Sequence, residues 1–67
     1  MRIELNGRAV ELTREATVAD AVAATGTEAR RGIAVAVEGE VVPRSEWDTT
    51  QLEEGQQVEV LTAVQGG

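Results

Sequence analysis

Along the first twelve residues, apolar side chains fall at every second position. Met1, Ile3 and Leu5 alternate with Arg2 and Glu4, and beyond an Asn6-Gly7 pair Val10 and Leu12 alternate with Ala9 and Glu11. A period of two is that of a strand with one face in a core and the other in water. Asn-Gly suits a two-residue type I′ turn, whose central residues both need positive φ. A loop of that length fixes the register, with Leu5 opposite Arg8, Ile3 opposite Val10 and Met1 opposite Leu12. The other face then sets Arg2 against Glu11, an opposite-charge pair worth about 0.2–1 kcal/mol.

The period changes after a polar connection, Thr13 to Ala16. Thr17 stands three residues before Asp20 in the arrangement of a capping box, and Val18, Ala21, Val22 and Thr25 follow at helical spacing, with Gly26 as the stop. The helix spans about two turns, and its stripe of small residues lets it lie close across a sheet. Glu28 to Gly32 reads as a charged turn; its Arg30-Arg31 pair fits either a solvated loop or a contact with a partner or nucleotide. Ile33 to Val37 alternates β-branched residues with alanines, a strand with one slim face. Glu38-Gly39-Glu40 turns the chain into Val41-Val42, and Pro43, which has no N–H to give, confines that strand to an edge.

Ser45 and Asp48 repeat the capping spacing around a single helical turn. Trp47 is the one aromatic residue; closing an end of the core and touching a partner are both open to it. Leu52 to Gln56 reads as a turn with Gly55 at the left-handed position, leading to a last strand, Gln57 to Val64. Val58, Val60 and Thr62 should face inward. Glu59, Leu61 and Ala63 should face outward, where Leu61 is either an ordinary exposed leucine or a docking contact. The order strand, strand, helix, strand, short strand, strand predicts an α+β fold: a mixed sheet of four to five strands packed on one main helix, in a single domain over residues 1–67. A right-handed crossover would bring the last strand parallel to the first, in the middle of the sheet.

Composition narrows the chemistry. A chain of 67 residues buries only about 60% of its unfolded surface, which leaves little room for a deep pocket. There is no Cys and no His, hence no thiolate, no disulfide, no zinc cluster and none of the side chains most used for proton transfer near neutral pH. The sequence therefore points away from an enzyme and offers no catalytic and no metal-binding residue. The net charge of −6 opposes contact with a nucleic-acid backbone and favours a basic protein partner. No apolar run is long enough for a membrane span and no signal-peptide pattern opens the chain, so the expected location is cytoplasmic.

The remaining candidate is the end of the chain. Residues 64–67 form a slim tail, Val64-Gln65-Gly66-Gly67, and glycine, lacking Cβ, fits a channel closed to other residues. A terminal carboxylate delivered into an enzyme can attack the α-phosphate of ATP, and the mixed anhydride so formed is open to a sulfur or nitrogen nucleophile. Paired glycines are also what a frayed terminus carries.

Taken together, Arg31-Gly32 with Ile33 to Val37, Val42-Pro43-Arg44-Ser45-Glu46-Trp47, the Leu52–Gly55 turn and Val58-Glu59-Val60 leading to Gly66-Gly67 resemble the ThiS family, small ubiquitin-like sulfur carriers of thiazole formation in thiamine biosynthesis. The resemblance covers essentially the whole chain; Gln56 departs from it, since the family often has Asp after the turn glycine. It implies a β-grasp fold. It also implies that a ThiF-like activating enzyme uses ATP and Mg²⁺ to adenylate Gly67, with no cofactor bound by the carrier itself. Sulfur, from a donor such as a cysteine desulfurase, then replaces AMP to leave a thiocarboxylate, which a ThiG-like thiazole synthase consumes. Gly66 gives the slim approach, and Leu61, Ala63 and Val64 are the candidate partner contacts. The small subunit of molybdopterin synthase, a carrier of another sulfur pathway, a lysine-conjugated protein modifier and a noncatalytic β-grasp interaction domain are the alternatives.

Overall fold

The computed structural model describes residues 1–25 and 32–62, with the backbone alone at Thr62. Among the described residues, five strands and one helix follow in the order β1 (Arg2–Leu5), β2 (Arg8–Glu11), α1 (Val18–Ala24), β3 (Ile33–Val37), β4 (Glu40–Val42) and β5 (Gln57–Thr62), with a 3₁₀ turn at Arg44–Glu46. The sheet runs β2-β1-β5-β3-β4. β5, last in the chain, is central: parallel to β1, with Leu5 beside Val58, and antiparallel to β3, with Val35 beside Val60. A mixed five-stranded sheet crossed by one helix is the β-grasp arrangement.

The first hairpin keeps the register set by its turn, Leu5 opposite Arg8, Ile3 opposite Val10 and Arg2 opposite Glu11. Both turn residues have positive φ, 51° at Asn6 and 83° at Gly7. Met1 and Leu12 extend the ladder through a pair of bonds, Leu12 N–H to Met1 O at 2.8 Å and the N-terminal amine to Leu12 O at 2.7 Å. Ile3 and Leu5 from β1, Val35 from β3 and Val58 and Val60 from β5 all point to one face, where Val18 and Ala21 of α1 meet them.

The helix begins as expected, the Asp20 carboxylate accepting the Thr17 N–H at 2.8 Å. Its next two orphan donors are met from a distant part of the chain: Val18 N–H donates to Thr50 O at 2.9 Å and Ala19 N–H to Trp47 O at 3.1 Å. The helix ends at Thr25, whose hydroxyl donates to Val22 O at 2.7 Å; Gly26 and the Glu28–Arg31 turn lie outside the described residues.

Three expectations need correction. Thr13 to Ala16 is not simply a polar connection: Ala16 is buried, and its carbonyl accepts the Leu52 N–H at 3.0 Å, so this stretch is stitched to the segment after the 3₁₀ turn. Leu52 is a buried core residue and not just part of a turn. Ser45 is no cap. Pro43, already extended at φ −62° and ψ 147°, occupies the position before the turn, and Glu46 N–H bonds its carbonyl at 2.8 Å, which places Ser45 inside the turn.

Candidate functional site

Trp47 belongs to the core. It is buried, and its indole N–H donates to Val42 O at 3.0 Å, so one side chain closes the end of the sheet and ties the 3₁₀ turn to edge strand β4. Arg44 lies over the ring at 5.8 Å, within cation–π range. These contacts give the Pro43-Arg44…Trp47 pattern a structural role.

The face of the sheet away from the helix is where the accessible apolar residues gather. Alternation along β5 turns Leu61 outward between buried Val60 and the strand's end, and Leu61 is 59% exposed. Its cross-strand neighbour is Ala34. One step along β3, Ala36 pairs with Val41 of β4, which is 72% exposed. Because Ala34 and Ala36 are small, Leu61 and Val41 stand above them without forming a packed cluster. Glu59, opposite Ala36, and Glu4, beside Gln57, put negative charge around this apolar strip. The combination fits a partner with an apolar centre and a basic rim.

Among the candidate contacts, then, the structure places Leu61 at the outer end of β5. Ala63, Val64, Gly66 and Gly67 lie outside the described residues, as does the Arg30-Arg31 pair. Leu61 stands six residues before Gly67 in the chain, so a partner resting on it lies within about 20 Å of the terminal carboxylate even along a fully extended chain. Val41 carries exposure that the sequence reading did not single out, although alternation with the inward Val42 was the available signal. Asn6 does more than fill a turn: its side-chain amide bonds both backbone polar groups of Val60, accepting the N–H at 2.8 Å and donating to the carbonyl at 3.3 Å.

The surface depressions carry little chemistry. The groove between β2 and α1, about 560 Å³, is lined by Leu12, Thr13, Ala16, Ala23 and Ala24 with Glu11 and Asp20 among its walls, and the Thr13 hydroxyl makes no hydrogen bond to either carboxylate. Among the described residues, no three acidic side chains converge to hold a metal ion, and no helix is long and apolar enough to cross a membrane.

The comparisons with known proteins agree with this geometry. A model of the ThiS family matches residues 3–67. The crystal structure of the thiamine biosynthesis protein ThiS from Geobacter metallireducens is similar with a TM-score of 0.81 and 26% identity, covering 100% of both chains. The solution structure of a thiamine biosynthesis protein from the same organism gives a TM-score of 0.81 and 28% identity, over 100% of this chain and 88% of that one. No curated protein matches significantly. With a family match over residues 3–67 and a fold that superposes on a ThiS structure along the whole chain, the chain belongs to the ThiS family.

Proposed function

We propose that the chain carries sulfur on Gly67 as a thiocarboxylate, formed by adenylation and consumed in thiazole formation. Membership of the ThiS family makes the chain a sulfur carrier of thiamine biosynthesis that works with sulfur-transfer enzymes. Because β5 is bonded on both sides, to β1 and to β3, the strand that leads to the terminal glycines is rooted in the most constrained part of the fold. That rooting of β5 is the observation that most directly supports Gly67 as the loaded end.

In this reading the body is a handle and the end group is the substrate. A ThiF-like enzyme docks on the outer face around Leu61 and takes the tail into its own site. There the Gly67 carboxylate attacks the α-phosphate of ATP, with Mg²⁺ on the phosphates, and pyrophosphate leaves. A persulfide supplied from a cysteine desulfurase displaces AMP from the acyl carbon to give an acyl disulfide. A thiol then attacks the outer sulfur, leaving as a disulfide with it and releasing the Gly67 thiocarboxylate, whose sulfur a ThiG-like synthase receives. Gly66 keeps the approach narrow, and Ala63 and Val64 line the segment between the docking contact and the reacting carbon. ATP and Mg²⁺ belong to the enzyme, and the setting is the cytoplasm.

Reconstitution with an activating enzyme, a sulfur donor, ATP and a thiazole synthase tests the reading. The full chain should support thiazole formation, whereas a chain lacking Gly67 or extended by one residue should not. Equal yields from the native and extended chains would remove Gly67 as the carrier.

A further inference from the structure

We propose that Asn6 is a positioning residue for the loading of Gly67, its side-chain amide holding the backbone of β5 close to the point where the tail begins. The inference rests on the sulfur-carrier reading and adds to it a residue remote in sequence from the tail.

The parallel ladder between β1 and β5 advances two residues per rung. Glu4 N–H donates to Gln56 O at 2.9 Å, and Asn6 N–H donates to Val58 O at 2.9 Å. The next rung requires an acceptor for the Val60 N–H. The β1 backbone cannot supply it, because the positive φ of Asn6 and Gly7 swings the chain away into β2. The Asn6 side chain takes the place of the missing strand: Oδ1 accepts the Val60 N–H at 2.8 Å, and Nδ2 donates to the Val60 carbonyl at 3.3 Å.

Turn chemistry alone does not demand this amide, since Gly serves the same position of a type I′ turn. What Gly cannot do is reach Val60, 54 residues further along the chain. Without the amide, Val60, Leu61 and Thr62 would keep only their pairing with Val35, Ala34 and Ile33 of β3. The end of β5 would then be held from one side; Leu61 keeps its pairing with Ala34, and the added freedom falls on the root of the tail. A reacting carbon seven residues beyond Val60 depends on that root for its placement, and small misplacements of a reacting group slow a reaction strongly.

The test uses the full chain with an activating enzyme, ATP, Mg²⁺ and a sulfur donor, following loading by intact mass. Asn6→Gly preserves the turn and removes both side-chain bonds. Asn6→Asp keeps an oxygen for the Val60 N–H and loses the donor to its carbonyl. The expected result is a kcat for loading lowered about tenfold in N6G, a KM within about twofold of wild type, and an intermediate kcat in N6D. Amide hydrogen exchange should quicken at Val60 in N6G while remaining slow at Val35. Val10→Ala, at the far edge of the sheet, serves as a control for general loss of stability and should load at the wild-type rate. Wild-type loading by both N6G and N6D would overturn the proposal, and so would an equal slowing by V10A. Failure of the wild-type chain to load would overturn the carrier reading itself. Should N6G not fold, N6D decides by the same comparison.

Discussion

Replacing Leu61 separates docking from folding. Full burial of a leucine side chain contributes about 1.5–3 kcal/mol, and the 59% that remains exposed in the free protein leaves about 1–2 kcal/mol to be gained when a partner covers it. Leu61→Ala should therefore weaken binding to the activating enzyme by about 5- to 30-fold. Leu61→Glu should weaken it further, because a carboxylate would enter an apolar contact unpaired, on a face that already bears Glu59 and Glu4. Neither change should move unfolding by more than about 0.5 kcal/mol, since the residue stands on the solvent side of the sheet above Ala34. Calorimetric titration of wild type, L61A and L61E into the enzyme, with a denaturation curve for each, measures both quantities. Wild-type affinity in L61E, with the fold intact, would refute the assignment of this face.

Two further changes test the closure of the core. Leu52→Ala, at a site only 3% exposed, should lower stability by about 2–5 kcal/mol, a large share of the roughly 3–10 kcal/mol expected for a chain of this size. Urea denaturation followed by Trp47 fluorescence reads it, and a loss below about 1 kcal/mol would contradict the packing described. Trp47→Phe removes the indole N–H that bonds Val42 O and part of the ring volume, and should cost about 2–3 kcal/mol. Circular dichroism melts check this, and an unchanged melting temperature would mean that the indole does not tie the 3₁₀ turn to β4.

The strand pattern, the first hairpin's register and the central position of β5 were legible because they depend on local rules: period-two alternation, the geometry of an Asn-Gly turn and the handedness of a crossover. Pro43 announced the edge strand for the same reason. What the pattern did not reveal depended on long-range pairing. Nothing local in Leu52 or Ala16 separates a buried residue from a turn residue; their placement comes from the bond between Ala16 O and Leu52 N–H and from the helix start capped by Thr50 and Trp47 carbonyls. Asn6 was readable as a turn former, yet its amide serves a strand 54 residues away. The spacing of Ser45 and Asp48 misled because Pro43 starts the turn earlier than a capping serine would. For the candidate site, composition turned attention from side-chain catalysis to the end group, and alternation along β5 found Leu61.

The most direct test of the central claim is the intact mass of the chain, with fragment mapping of its last residues, after incubation with an activating enzyme, ATP, Mg²⁺ and a sulfur donor. The account predicts that one oxygen is replaced by sulfur and that the change maps to Gly67. An unaltered mass in the presence of an enzyme proven active on another carrier, or sulfur located elsewhere in the chain, would contradict it.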